Sequence, residues 1–463
     1  MTEKNRFLHI AIIGAGFAGT ALAAACHRAA SSPLHIHLFD KTGEFAAGPA
    51  YRTPFDYHLL NVCAKDMGAF EDDPAHFVSW LQSKKPHPLL ETTLDAALPL
   101  SEQFIPRCLY REYLQSLLQT IKQDNTHQLT LEPSEVIDLI PHSDHVVIVL
   151  ANQKQIHVDK VILALGNQEP ISFPFSVSSS NCILNPWDYT APNHIPQDDP
   201  VLIVGTGLSM IDTVLTLHHQ QHRGPIHAVS RHGLLPLPHQ PHQKIDSFSA
   251  DILPTTLREL MKFLRDESKE LNDWRSLISA IRQHIPAWWM RATEADKKRF
   301  IRHALPYWNV HRHRVHHGIS DLLQQLCDAN QLNVMAGRVI KVENHQATIQ
   351  LRNTHQSIKI DAKWIINCMG PALNLTSNPS PLIHSLLEKN IAHLDTLKLG
   401  LLISLQSSTR IYTLGSLRRG TLWEVSAVPE IRQQCYELSH IITGKEESHD
   451  ENGVTNINPA SAM

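Results

Sequence analysis

Short apolar runs, each closing on glycine, recur along the chain between stretches of helical and alternating pattern. His9-Ile-Ala-Ile-Ile13 predicts a buried strand. Gly14-Ala-Gly16-Phe-Ala-Gly19 turns out of it, and the pattern from Thr20 to Arg28 predicts a helix. His35-Ile-His-Leu-Phe39 predicts a second strand that ends at Asp40. Strand, glycine turn, helix and strand make the start of a βαβ unit. The order returns much later. Val201-Leu-Ile-Val204 runs into Gly205-Thr-Gly207-Leu-Ser-Met210, then a helix over Ile211 to His218 and a strand over Ile226 to Val229.

The repeat extends past these starts. Amphipathic patterns predict a helix over Arg107–Leu118 and a counterpart over Arg312–Leu323. A short strand follows each, Leu129–Leu131 and Leu332–Met335. Alternating meanders follow over Val136–Val158 and Val339–Ile360. Each meander delivers a last apolar strand into glycine, Gly166 and Gly370. Solenoid repeats have periods of about 20–50 residues, so a repeat this long indicates duplicated domains. Within the second copy, about Gln240 to Pro306 is an insertion. Leu257, Leu260, Met261 and Leu264, then Trp274, Leu277, Ile278, Ile281 and Ile285, keep helical spacing there. The predicted class is α/β, with two Rossmann-like dinucleotide-binding domains, each carrying a β-meander, plus a helical insertion.

Composition narrows the setting. A chain of 463 residues accommodates two or three domains. Lys plus Arg number 41 and Asp plus Glu 45, a net charge of −4 that offers no footing for nucleic acid or an anionic membrane. The 31 histidines make that charge sensitive to mild acid. The seven cysteines include no C-x-x-C pair, which argues against a disulfide framework, a zinc ribbon and a dithiol redox centre. An odd count fits a reducing, cytoplasmic setting. The apolar run Ile10–Cys26 after Lys4 and Arg6 imitates a secretory signal, but its glycines hold fingerprint spacing. No other segment is long and apolar enough to span a bilayer.

The glycines carry the chemistry. Gly14 permits a tight turn, Gly16 lets backbone approach a pyrophosphate, and Gly19 lets the helix pack on the strand. The helix N-terminus offers free N–H groups and partial positive charge to phosphate. Asp40, about 20 residues beyond the fingerprint, accepts from ribose hydroxyls and repels a 2′-phosphate, so this turn suits the adenosine half of FAD or NAD. In the second turn Gly205 and Gly207 are retained and Met210 replaces the third glycine. The following strand ends in Ser230-Arg231 without an acid. A hydroxyl and a guanidinium there suit the 2′-phosphate of NADPH, with NADH as the alternative donor. The plainer reading of Arg231 is a surface side chain after a strand. Asp212 is expected to cap its helix. Four histidines and two arginines in His311–His317 invite a metal reading, but the neighbouring guanidinium charges oppose it; a solvated or phosphate-facing basic patch is expected, and no metal. Cys63 is expected to be structural.

Together these motifs resemble the two-dinucleotide-binding flavoproteins, and within them a set of bacterial FAD/NAD(P)-binding proteins. The resemblance rests on Gly48-Pro-Ala-Tyr51, His58-Leu-Leu-Asn61, Phe104-Ile-Pro-Arg107-Cys-Leu-Tyr110, Val204–Asp212, Ser230–Pro236, Gly415–Gly420 and Trp423-Glu424. More distantly the chain is similar to flavin-dependent N-hydroxylating monooxygenases. The resemblance implies an FAD domain built from both chain ends, over 1–195 and 372–442. A nicotinamide domain would be inserted over 196–371, while the polar, aperiodic run after Ile442 itself predicts a disordered tail over 443–463. The resemblance implies that Gly14, Gly16, Gly19 and Asp40 hold the FAD adenosine half and that Gly166 and Gly370 mark the crossings between domains. It also implies that Gly415 approaches the flavin, although Ser416 stands where many relatives place an acid for the ribityl chain. Gly48–Met67 should approach the flavin ring, with Asn61 as the best candidate for a polar contact.

The expected function is an FAD-dependent NAD(P)H oxidoreductase, with monooxygenation as one outcome and an unidentified small molecule as substrate. A quinone-type reductase and a non-catalytic redox sensor that binds a partner protein are the competing readings. The flavin itself would be the reactive group, and no catalytic side chain is singled out.

Overall fold

A computed structural model describes residues 6–95, 97–242, 245, 252–354, 356–377, 379–407 and 409–444. The tail expected to be disordered lies outside the described residues beyond Gly444. The chain divides into two compact units, one over 1–52, 63–168 and 373–463 and the other over 53–62 and 169–372. The stretch 169–195, grouped with the first domain in the sequence reading, thus falls in the second unit.

The strands in chain order begin with β1 (Leu8–Ile13), β2 (Leu34–Phe39), β3 (Gln128–Glu132), β4 (Val136–Pro141), β5 (Val146–Leu150), β6 (Gln155–Val158) and β7 (Lys160–Leu163). The second unit contributes β8 (Ser176–Ser178), β9 (Cys182–Ile183), β10 (Val201–Val204), β11 (Ile226–Ser230), β12 (Leu332–Glu343), β13 (Gln346–Leu351), β14 (Ser357–Asp361) and β15 (Trp364–Asn367). The chain then returns to the first unit for β16 (Ala392–Leu394), β17 (Leu401–Ile403) and β18 (Ile411–Thr413).

In the first unit a five-stranded parallel sheet has the order β18-β7-β1-β2-β3. One face carries Ala11, Ile13, Phe39, Val161 and Leu163. These pack with Val136, Leu139, Val146, Ile148 and Val158 of the separate three-stranded meander β4-β5-β6. The helix Phe17–Ala29 packs against the helices Arg107–Gln123 and Val428–Thr443. The signal-like run Ile10–Cys26 therefore lies within a central strand and a helix of this unit, Leu8–Ile13 and Phe17–Ala29, and Ile10, Ala11 and Ile12 are fully buried.

In the second unit an eight-stranded sheet runs β14-β13-β12-β11-β10-β15-β9, with β8 beside β12. The helices Leu208–His219 and His317–Asp328 contribute Met210, Ile211, Val214, Leu323 and Leu326 to one core. Val339, Val342, Ala347 and Ile349 contribute to a second. The duplicated meanders differ in one respect. Pro133, which lacks a donor, follows β3 and separates it from β4, whereas β12 is continuous. It pairs in parallel with β11 as far as Ala336, then antiparallel with β13 from Gly337. A Cβ on Gly337 would stand 2.7 Å from the Gln350 carbonyl oxygen, so the crossover needs bare backbone.

The predicted helix Arg312–Leu323 is corrected. One helix ends at Arg312 and the next begins at His317. Val315 forms an isolated bridge with Pro238, donating its N–H to Leu237 and accepting from His239, so its backbone is diverted from the helical ladder.

Candidate dinucleotide sites

The first turn is held by backbone that leaves no room for side chains. Gly14 has φ +108°, and a Cβ there would lie 2.2 Å from the Ala164 carbonyl oxygen at the end of β7. A Cβ on Gly19 would lie 1.9 Å from the Gly14 oxygen, so the helix rests on the turn itself. Gly16 is different. Its ordinary φ of −73° admits any residue, and the nearest neighbour of an added Cβ is the Cα of Gly48 at 3.7 Å. Gly16 also stands at the N-cap of Phe17–Ala29, where no side chain caps the helix and no acid occupies the first turn. The N–H groups that phosphate requires are thus not taken by the chain's own side chains.

Other expected residues converge on this turn. Gly166 follows β7, and a Cβ on it would meet nothing within 4 Å. Gly415 lies beside Ala18, with 3.8 Å between an added Cβ and the Ala18 methyl. The Ser416 hydroxyl donates to the Gly166 carbonyl, so the residue that replaces an acid ties two of these glycine loops together. Arg419 donates to the Asn167 side chain at 3.1 Å. Asp40 ends β2, but one carboxylate oxygen, Oδ1, already accepts from the Thr42 amide at 2.9 Å and hydroxyl at 2.6 Å.

The second turn repeats the design. Gly205 has φ +116°, and a Cβ would stand 2.0 Å from the Cys368 carbonyl oxygen after β15. Gly207 has φ −87° and an added Cβ would meet nothing within 4 Å. The helix Leu208–His219 again has no side-chain cap and no first-turn acid. Gly370, φ +82°, also faces open space. Met210 is fully buried in the core. The departure from glycine is therefore accommodated by packing.

At the end of β11, Ser230 has a structural task. Its hydroxyl lies 2.9 Å from Thr206 Oγ1 and accepts from the Gly233 amide at 3.0 Å. Arg231 is exposed. Arg352 lies beside it, donating to the Arg231 carbonyl at 3.0 Å and to His232 at 2.6 Å. The sequence reading missed Arg352, which is far along the chain and shares no motif with Arg231. Its arrival on the strand end gives two guanidinium groups where one was expected.

Asn61 belongs to the second unit, whereas Gly48–Arg52 and Cys63–Met67 belong to the first. Its carbonyl accepts from His239 Nε2 at 2.8 Å. The same segment is fixed by His58, which is fully buried. His58 Nδ1 pairs with the Thr53 hydroxyl at 2.7 Å, and its Nε2 donates to the Asp212 carbonyl at 3.1 Å. His58 appeared in the sequence only as part of a matching stretch, and its anchoring role was not legible. Asp212 does not cap its helix: the N-cap is Gly207, and Asp212 sits more than one turn inside.

The basic run is also corrected. Arg312 and Arg314 are buried, at 7% and 5% exposure, and do not form a solvated patch. Arg314 donates to the His311 carbonyl and to Ser279, each at 3.0 Å. Burial, then neighbouring Arg275, Arg312 and Arg282, lower its pKa to about 10. Burial, helped by Glu102 and Asp66, pushes the Cys63 thiol up to about 12. All seven cysteines are free.

Residues 11–168 match a family described as FAD-NAD(P)-binding. No curated protein sequence matches the chain. Solved structures do. The ornithine N-hydroxylase of Kutzneria sp. 744 is 14% identical with a TM-score of 0.64, over 95% of this chain and 100% of that one. The L-lysine 6-monooxygenase of Pseudomonas syringae is 12% identical with a TM-score of 0.60, over 94% and 98%. The thioredoxin reductase of T. acidophilum is 11% identical with a TM-score of 0.50, over 94% and 97%. Residues 11–168 thus match an FAD-NAD(P)-binding family, and the α/β fold of the whole chain is the one shared by these solved structures.

Proposed function

We propose that the chain is an FAD-dependent NAD(P)H oxidoreductase that acts as a monooxygenase on a small molecule. The observation that carries this reading is the paired design of the two turns. Each places an uncapped helix N-terminus behind a positive-φ glycine, with a second glycine facing open or nearly open space. Gly14, Gly16, Gly19, Gly166, Gly415 and Asp40 would hold FAD. Gly205, Gly207, Ser230 and Arg231, joined by Arg352, would hold NADPH, with Gly370 at the crossing.

FAD held by these residues would supply the redox chemistry, linking a nicotinamide donor to an electron acceptor. The chain's part is to bind and orient. The helix Phe17–Ala29 offers amide donors to a pyrophosphate, and Asp40 Oδ2 accepts from a ribose. Asp40 also disfavours a 2′-phosphate at the first turn, while the guanidinium groups of Arg231 and Arg352 favour one at the second. Free cysteines, with the Cys63 thiol pushed up by burial, favour oxygen or a diffusible acceptor over a dithiol relay. They also suit a reducing, cytoplasmic setting. Among the described residues no helix is long and apolar enough to cross a membrane. Likeness to ornithine and lysine hydroxylases makes amines the first substrates to try.

The test is the visible spectrum of the purified protein, followed by NADPH without oxygen. Bleaching of flavin bands supports the coupled sites, and re-admission of oxygen with amines, then quinones, separates hydroxylation from acceptor reduction. Bound flavin that neither nicotinamide reduces would sink the oxidoreductase reading and favour a sensor.

A further inference from the structure

Three histidines interrupt the apolar pattern of the first unit's sheet, away from its glycine turn. His9 on β1 pairs directly with His35 on β2, and His37 lies two residues further along β2, on the same face by strand alternation. Parallel strands covered on both faces normally read as continuous apolar runs, so three imidazoles here need an explanation. The His35 and His37 rings stack with centroids 4.1 Å apart, and His9 stands 5.1 Å from His35 and 6.0 Å from His37. Each ring brings a nitrogen within 4.8 Å of those of the other two.

The middle of the cluster is short of a partner. His37 is 9% exposed, and its Nδ1 is buried without a hydrogen bond. His35 is tethered from outside: its Nε2 lies 2.8 Å from the Thr130 hydroxyl, the kind of contact that orients a metal-binding imidazole while its other nitrogen faces the ion. Charged groups near the cluster are paired with one another, Arg6 with Asp159 at 3.0 Å. The Asp159 carboxylate accepts from the His9 amide at 2.8 Å. Lys154, whose charge reaches His37, pairs with Glu132 at 3.5 Å.

We infer that His9, His35 and His37 form a three-imidazole site for a divalent transition-metal ion of the zinc type, with water as the fourth ligand. Imidazole nitrogen suits zinc, copper and nickel, and three such ligands with one open position complete a tetrahedron. Metal–nitrogen bonds of about 2.0–2.1 Å bring ligand nitrogens to roughly 3.3 Å from one another. Rotation of the two half-buried rings, His9 and His35, toward His37 closes that gap. The bound ion would tie β1 to β2.

A second cluster, His27, Asp124 and His127, is the natural control. Its groups are already engaged, His27 Nε2 with Asp124 at 2.7 Å and His127 Nδ1 accepting from the Leu34 amide at 3.2 Å.

The experiment uses the full chain, flavin-loaded and stripped of metal with a chelator. It is titrated with Co2+ by visible absorption and with Zn2+ by calorimetry. One equivalent of tetrahedral Co2+, displaced by Zn2+, is expected. His37→Ala should weaken Zn2+ binding by at least about 100-fold, more than loss of an outer hydrogen bond typically does, with flavin content unchanged. His35→Gln provides the same test should His37→Ala fail to fold, and His27→Ala should keep the Co2+ signal. Unchanged stoichiometry and affinity in both His37→Ala and His35→Gln, or loss of the signal in His27→Ala alone, would overturn the assignment.

Discussion

Gly207→Ala separates binding from folding at the second turn. The backbone there has φ −87° and ψ −163°, which alanine adopts without strain, and its Cβ would meet nothing within 4 Å. Such a change leaves stability unaltered or raises it by about 0.4–1 kcal/mol through the unfolded chain. A dinucleotide pyrophosphate lying against this backbone would meet the new methyl group. Forcing one methyl into a closely packed contact typically costs about 1–3 kcal/mol. At 1.4 kcal/mol per factor of ten, NADPH should bind roughly 5- to 150-fold more weakly.

The neighbouring Gly205→Ala should behave in the opposite way. Its Cβ would stand 2.0 Å from the Cys368 oxygen, at φ +116°, so the turn and β15 must move apart and the fold should suffer first. The assay is the rate of anaerobic flavin reduction against NADPH concentration, beside the melting temperature and flavin content of each variant. Gly207→Ala should keep wild-type melting and flavin while its Kd for NADPH rises. A Gly207→Ala protein that melts normally and binds NADPH with the wild-type Kd would refute the placement of pyrophosphate on this turn.

The remaining predictions test other parts of the reading. Arg231→Ala and Arg352→Ala should each raise the KM for NADPH about tenfold and leave NADH nearly unaffected, the value of one charge-assisted contact; equal effects on both donors would remove the 2′-phosphate assignment. Gly16→Ala should lower flavin content with little change in melting of the flavin-free protein, since its Cβ would meet only Gly48 Cα at 3.7 Å. Burial pushes His239 down to about 4, so between that pH and its unfolded value of about 6.5 only the unfolded chain takes up the proton. Stability should therefore fall as pH drops through this window, by up to roughly 3 kcal/mol from this group. His239→Gln should melt with a shallower pH dependence between pH 7 and pH 4.5, and an unchanged slope would contradict that assignment.

The legible part of this protein was the part written in local pattern. Gly14 and Gly205 announce themselves because a positive-φ turn between a buried strand and a helix admits little else, and the requirement is met within a few residues of chain. The duplicated order of elements was readable for the same reason. What stayed hidden depends on who arrives from far away. Arg352 reaches the end of β11 from the β13–β14 hairpin, and nothing at Arg231 foretells it. Arg312 and Arg314 looked solvated because charge normally implies exposure, yet neighbouring helices bury them. Asp212 looked like a cap because the third fingerprint position is Met210 and the helix seemed to begin after it; the helix instead starts at Leu208, directly behind Gly207.

His58 illustrates the general point most clearly. In the sequence it is one polar residue in a short matching stretch, and either a ligand contact or a turn is compatible with it. In the structure its two nitrogens are spent on Thr53, on the Asp212 carbonyl and on Thr216. It thereby pins the segment 53–62 to the helix that begins at Leu208. The segment that carries Asn61 is therefore tied, through Asp212 and Thr216, to the helix behind the second glycine turn. Any change that loosens the N-terminus of that helix acts on both at once. A change that loosens this helix, such as Thr216→Ala, should therefore be felt in the segment 53–62 through the same histidine.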